Sequence, residues 1–217
     1  MKILLLGATG RTGRHLLAQA LQAGYEVNVL VRSRAAVSSQ SDKLTIFESA
    51  TFDKPSLEQA MTGCGAVLSA LNISRTSDFP WAALRTPKTF LSDTLLIVNA
   101  VAQKTGVKRI ILITAWGVHE TKADIPGWFR WLIDTSNIGV AYRDHERQET
   151  FLQTTQLDYT IVRPVGLTNF TADKPIRVTI NNEPKPSLTI SRRNVAKFML
   201  TALADGLHHQ QIVTISE

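Results

Sequence analysis

A doubly wound α/β fold on a parallel sheet is what the sequence predicts, from three observations. Apolar runs of strand length alternate with segments of helical periodicity along the 217 residues, and those runs are continuous instead of alternating with polar residues. Between the first run and the first helical pattern stands the heptad GATGRTG, residues 7–13. Alternation of strand and helix implies βαβ crossovers, and continuous apolar strands imply a sheet covered on both faces.

The elements follow in order. Residues 3–6 are a buried strand; Leu16, Leu17, Ala20 and Leu21 then recur at helical spacing from Thr12, and Gly24 supplies a left-handed stop. Residues 27–31 return as the second strand, which closes a βαβ unit. Strands are predicted over 43–48, 66–71 and 109–114, with a short helix over 56–61 and a longer one over 92–105 that Gly106 ends. An aromatic-rich stretch, 115–139, precedes a polar helix over 142–154 and a sixth strand, LDYTIVRP, over 157–164. Beyond it the pattern loosens into extended pieces at 177–180 and 188–190, a Ser191-capped helix with Val195, Met199 and Leu203 on its apolar side, and a last strand over 211–216. With no repeat and no linker, the chain reads as a single domain, 1–217: a dinucleotide-binding core over 1–163 and a substrate-side elaboration over 164–217.

The glycines of GATGRTG have separate roles in this setting. Gly7 permits the turn off the strand, Gly10 lets a pyrophosphate approach the backbone, and Gly13 lets the helix pack closely on the sheet. A right-handed crossover aims the helix N-terminus and its unpaired N–H groups at the same spot, a seat for phosphate. Thr9, Arg11 and Thr12 share the loop and are expected to contact the cofactor. An NAD site normally ends its second strand in an acid; here the strand runs VLVRSR, so Arg32 and Arg34 stand where the acid would be, and Glu26 lies at the opposite end. Guanidinium forks suit phosphate, Arg11 and Arg14 add to the same field, and the expected cofactor is NADPH.

Composition sets outer bounds. Hydrophobic residues at 44% and charged residues at 19% are ordinary for a globular chain, and the lone Cys64 leaves no internal disulfide and fits a reducing, cytoplasmic setting. The apolar run of the first residues is too short for a signal-peptide core, and no stretch is long enough for membrane insertion as a span. The net charge of +6 is dispersed, without basic blocks interleaved with aromatics, which argues against nucleic acid. His119, His208 and His209 lack partners at metal-ligand spacing.

Taken together, GATGRTG with AGYEVNVLVR, HERQETFLQTTQLDYTIVRP and SLTISRRNVAKFML resemble the atypical short-chain dehydrogenases/reductases of the NAD(P)H-binding, NmrA-like group, and within it the flavin reductase/biliverdin-IXβ reductase subgroup. The resemblance runs over nearly the whole chain and implies a Rossmann-like fold of short-chain dehydrogenase type. It also implies NADPH-dependent hydride transfer to a planar conjugated acceptor, a flavin or an open-chain tetrapyrrole, by a monomer rather than an oligomer. By the same resemblance Thr51, Leu71, Thr114 and Ala115 join the cofactor site, and Trp116, His145 and Gly166 the substrate site. The subgroup's aspartate after the third strand is replaced by Ala50, so adenine is held either by the Thr51 backbone or by stacking and phosphate contacts alone.

The catalytic residues depart from the wider superfamily. Its Tyr-x-x-x-Lys pair is absent: Tyr142 is followed by Glu146 and Tyr159 by Arg163. Ala115 and Gly166 take the places of the subgroup's serine and second histidine, which leaves His145 as the expected proton donor or orienting group. Trp116, Trp128, Phe129 and Trp131 follow the fifth strand and could wall a planar ligand. The rival reading is a non-catalytic NADP(H) sensor; an epimerase of sugar nucleotides is disfavoured by the missing pair and the short C-terminal region.

Overall fold

The computed structural model describes residues 1–49, 53–171 and 174–217, so Ala50 and Thr51 lie outside the described residues. Its main sheet has eight strands in the order β3-β2-β1-β4-β5-β6-β10-β8. These are β1 (Lys2–Leu6), β2 (Glu26–Val31), β3 (Leu44–Glu48), β4 (Ala66–Ser69), β5 (Arg109–Ile113), β6 (Asp158–Pro164), β8 (Arg177–Thr179) and β10 (Gln211–Ser216). All neighbours pair parallel except β8, which runs antiparallel along β10. A separate two-stranded parallel ribbon joins β7 (Gly166–Thr168) to β9 (Thr189–Ser191).

The period of two along each strand sorts side chains between two cores. Ile3 and Leu5 of β1 face one side, with Val27 and Val29 of β2, against Leu16, Leu17 and Ala20 of α1 (Arg11–Gln22) and Val195, Ala196 and Met199 of α6 (Arg192–Ala204). Leu4 and Leu6 face the other, against α2 (Lys54–Met61), α3 (Phe90–Thr105) and α5 (Ile138–Gln153) through Leu57, Met61, Val98, Val101 and Leu152. A strand with both faces covered needs the continuous apolar run that the sequence carries.

Helix ends obey local chemistry. Asp53 caps α2 by accepting from the Ser56 N–H at 2.9 Å, and Gly106 ends α3 in the left-handed region at φ +79. Ser191 caps α6, accepting from the Asn194 N–H at 3.2 Å while its own hydroxyl donates to Glu217. Two elements were not predicted. The aromatic stretch contains α4 (Gly127–Thr135), and Gly166 opens β7 with its N–H on the Leu188 carbonyl at 3.0 Å. Both are short: α4 has nine residues, with Phe129 and Ile133 toward the core and its tryptophans outward, and β7 has three. No helix among the described residues is long and apolar enough to cross a membrane.

Candidate functional site

At the carboxyl edge of β1, β2 and β4 lies a cleft of about 600 Å³. Its floor is the glycine loop. Gly7 takes φ +82, and a Cβ there would stand 2.7 Å from the Ala70 carbonyl, so the turn off β1 and its approach to β4 both require glycine. A Cβ on Gly13 would come within 1.9 Å of the Gly7 carbonyl oxygen, which explains how α1 sits so low on the sheet; Gly13 is buried beneath the cleft instead of lining it. Gly10 is freer, its Cβ meeting only that same oxygen at 3.2 Å, and it faces the cavity. No side chain caps α1, so its first-turn N–H groups are open to an anion.

Gly7, Thr9, Gly10, Arg11, Thr12, Arg32 and Leu71, all expected at the cofactor, line this cleft together, as does Arg14. Arg34 does not. The chain turns after Ser33, the Arg34 N–H donates to Glu48 at 3.1 Å, and Nη2 donates to the Ile46 carbonyl at 2.7 Å, which holds the guanidinium against β3.

The opposite wall comes from residues that sequence reasoning passed over. The loop over 72–89 contributes Ser74, Arg75, Ser77, Asp78, Arg85 and Thr86, the elaboration adds Leu167 and Arg192, and Phe90 opens α3. Six arginines therefore line one cleft, with Asp78 its acid among the described residues. Arg11 reaches Asp78 with both forks of its guanidinium, at 2.8 and 3.1 Å, and that hydrogen bonding holds the Asp78 carboxyl below the usual range. Burial, then the like charge of Arg11, lowers the Arg192 guanidinium, with Asp78 opposing. The loop is pinned to the corner between α4 and α5: Trp81 Nε1 donates to the Thr135 carbonyl at 2.9 Å, and Asn137 donates to the carbonyls of Pro80, Trp81 and Ala82. Nothing in its apolar pattern marks it; the density of arginine at 75 and 85 was the one available signal.

The remaining expected site residues sit elsewhere, and each for a physical reason. Thr114 is buried beyond the end of β5, its N–H on Val162 and its hydroxyl donating to Glu149 at 2.7 Å. Ala115 is half-buried and lies off the cleft, and Trp116 is packed into the core with its N–H on the Pro164 carbonyl at 3.0 Å. Gly166 is exposed in β7, where a Cβ would meet the Leu188 carbonyl at 2.8 Å. His145, the expected proton donor, is fully enclosed on the core side of α5, its Nδ1 3.2 Å from Gln148 Oε1, and burial lowers its pKa. It does not line the cleft. Tyr142 is half-buried and off the cleft; burial raises its pKa, and its hydroxyl donates to the Trp116 carbonyl. Trp128 and Trp131 are exposed, so the four aromatics expected to wall a ligand do not converge on the cavity.

Beneath this region is a buried ion pair. Arg163 of β6 donates through Nε and Nη2 to the two oxygens of Glu149 at 3.0 and 2.6 Å, and through Nη1 to Glu120. Burial opposes the charge on Arg163, but hydrogen bonds to Glu149 and Glu120 outweigh it and the guanidinium stays raised. The network joins β5, β6 and α5, a scaffold rather than a reacting group.

A family model described as NAD(P)H-binding matches residues 7–206. The chain is 28% identical over 211 residues to the photosystem II assembly factor Ycf39 of Synechocystis, covering 94% of this chain and 58% of that protein, so it spans under two thirds of that relative. Among solved structures, an anaerobilin reductase, ChuY, of Escherichia coli O157:H7 superposes with a TM-score of 0.81 at 23% identity, covering 100% of this chain and 97% of that one. A short-chain dehydrogenase/reductase of Veillonella parvula in complex with NADP gives 0.78 at 18% identity, covering 100% and 94%. These likenesses are to the fold.

Proposed function

The chain belongs to the NAD(P)H-binding family, and from that premise we propose that it is an NADPH-dependent reductase of a planar conjugated acceptor, a flavin or a tetrapyrrole of the biliverdin kind. The observation that carries this reading is one cleft in which a glycine loop, an uncapped helix N-terminus and Arg11, Arg14 and Arg32 stand opposite Phe90 and Leu167, with Leu71 beside the loop. The first set fits the phosphates of the cofactor: Gly10 leaves the approach to the backbone clear, and Arg32 at the end of β2 stands where a 2′-phosphate discriminates NADPH from NADH. The apolar set fits a flat ring system. When bound, the cofactor supplies a hydride.

What this chain's residues do is bind, orient and exclude water. Hydride transfer between stacked rings depends above all on holding them at near-attack distance. With His145 enclosed and Tyr142 off the cleft with a raised pKa, an acceptor that takes its proton from solvent, as an oxidised flavin can, suits the cleft better than one that needs a dedicated acid. Arg75, Arg85 and Arg192 are placed to meet anionic groups on the acceptor. The ChuY likeness supports a tetrapyrrole as the other candidate.

The same enclosure favours a second reading, a sensor that binds NADP(H) without turnover. Steady-state oxidation of NADPH with FMN, riboflavin, biliverdin, a quinone and an aldehyde separates the two. Turnover on a flavin or biliverdin is the expected result. NADPH binding with no turnover on any planar acceptor selects the sensor, and turnover on the aldehyde alone overturns the mechanism.

A further inference from the structure

Tryptophan is ordinarily well buried, yet three of the four here are on the surface: Trp81 is 43%, Trp128 68% and Trp131 58% exposed. Phe79, at 62%, joins them. The four do not scatter. Phe79 leans on Trp81 at 5.4 Å between ring centroids, and Trp81 meets Trp131 edge-on at 6.0 Å. Trp128 lies one helical turn from Trp131 on α4, so the rings form one shelf where the 72–89 loop is fastened to the α4–α5 corner.

The helix that carries the shelf is unusual. Phe129 and Ile133 pack inward against the core, while Trp128 and Trp131 point outward, and only Arg130 and Asp134 interrupt the apolar surface between them. A two-sided helix that carries large rings and a cation on its outward face has the pattern of a helix lying on a lipid interface. None of the four outward rings lines the cofactor-side cleft.

Charge around the shelf selects among occupants. Asp134 is neutralised by Lys122, and Asp78 by Arg11. Arg75, whose Nη1 donates to the Phe79 and Pro80 carbonyls, has no carboxylate within ion-pair distance among the described residues, and the same holds for Arg130 and Arg143. A second copy docking face to face would bring these cations against their own counterparts. Exposed indoles interleaved with guanidiniums that hold no carboxylate instead match the interface of an anionic bilayer, where the ring sits at headgroup level and the cation meets phosphate.

We propose that the shelf of Phe79, Trp81, Trp128 and Trp131, with Arg75, Arg130 and Arg143, docks the protein peripherally on an anionic lipid surface. Phe79 adjoins Asp78 at the rim of the cleft, so docking sets the cleft mouth beside the lipid.

The test is co-sedimentation of the full chain with vesicles of phosphatidylcholine alone and of phosphatidylcholine with an equal share of phosphatidylglycerol, with tryptophan emission read in parallel. Binding to the anionic vesicles only, with a blue shift, is expected. Trp128→Ser/Trp131→Ser should weaken that binding at least about tenfold and abolish most of the shift, and Trp128→Ser alone should do so in part. Arg130→Gln/Arg143→Gln should weaken binding and flatten its dependence on salt, with the blue shift kept on what remains bound. NADPH titration of each variant, expected to match the parent, shows that the fold is intact. Absence of binding to anionic vesicles, equal binding by the tryptophan variant, or a dimer in solution that the tryptophan variant abolishes overturns the proposal. Because the readout is partition, its failure leaves the reductase reading untouched, and loss of NADPH turnover leaves docking untouched.

Discussion

On the wall built by β1, α1 and β2, every constraint is local: Gly7, Gly10 and Gly13 each answer to a backbone atom no more than a turn away or to the adjacent strand, within a unit of about thirty residues. The wall opposite is assembled from the 72–89 loop, Phe90, Leu167 and Arg192, drawn from three distant parts of the chain. The first wall requires glycine at 7 and 13, whereas the second is held by side chains reaching across long intervals, such as Arg11 to Asp78 and Asn137 to the loop carbonyls. Binding a common cofactor fragment requires a fixed backbone; choosing an acceptor requires replaceable side chains on a fixed frame.

The frame itself offers the sharpest way to break that contrast. Glu149→Leu would remove the buried carboxylate of Arg163 and leave it the exposed Glu120, and breaking a buried pair by removing one partner typically costs about 3–5 kcal/mol. Chemical denaturation should show a loss of that size, and replacement of Glu149 and Arg163 together by apolar residues should restore part of it. If the single variant is as stable as the parent, the far side is not fastened through this pair.

Next in size is Gly13→Ala. With the new Cβ aimed at the Gly7 carbonyl oxygen, α1 must lift from the sheet, and the expected loss is about 3 kcal/mol, the upper end for overpacking. Gly10→Ala, with its neighbour at 3.2 Å, should cost little stability but obstruct the cofactor. Equal stability losses at the two positions would mean that the glycines serve one purpose instead of two.

A smaller effect separates two arginines that are neighbours in sequence. Arg32 lines the cleft, while Arg34 is spent on the Ile46 carbonyl. Arg32→Ala should therefore weaken NADPH by about 1.5–3 kcal/mol and leave NADH nearly unchanged, as for loss of one charge-assisted bond. Arg34→Ala should leave the preference between cofactors where it was. Calorimetric titration with both nucleotides decides, and a loss shared equally between Arg32 and Arg34 variants would put both on the 2′-phosphate.

How much could be read from the sequence follows the same division. The strand–helix order, the glycine loop and the Arg32 position were legible because period, φ preference and strand ends are properties of neighbouring residues. The loop over 72–89, α4 and β7 were not, because their positions are set by tertiary contacts: Trp81 on Thr135, Gly166 on Leu188. His145 shows a related limit. Its place in the chain resembles a substrate-pocket histidine, but the helix face it occupies turns inward, and a polar helix such as α5 hides that face well when Asp144, His145, Gln148 and Glu149 are all buried on it.

That burial makes the smallest prediction. Asp144 accepts from the Leu91 N–H at 2.7 Å and Ser92 at 2.6 Å, Gln148 donates to the Leu91 carbonyl, and His145 lies among them as a neutral ring. Burial lowers its pKa below the ordinary 6.5, against smaller opposing pulls from Gln148, Glu149 and Asp144. A histidine depressed in the folded state binds its proton more readily when unfolded, so its stabilising contribution is full above that ordinary value and shrinks as pH falls. Thermal unfolding of the parent should therefore show stability falling as pH drops below the ordinary 6.5, and His145→Phe should flatten that slope while any overpacking lowers the whole curve. The contrast with chemistry is direct: flavin reduction by the variant, corrected for folded fraction, should keep its pH profile. A variant that loses turnover while its stability slope is unchanged would return His145 to the reaction and move the acceptor toward α5.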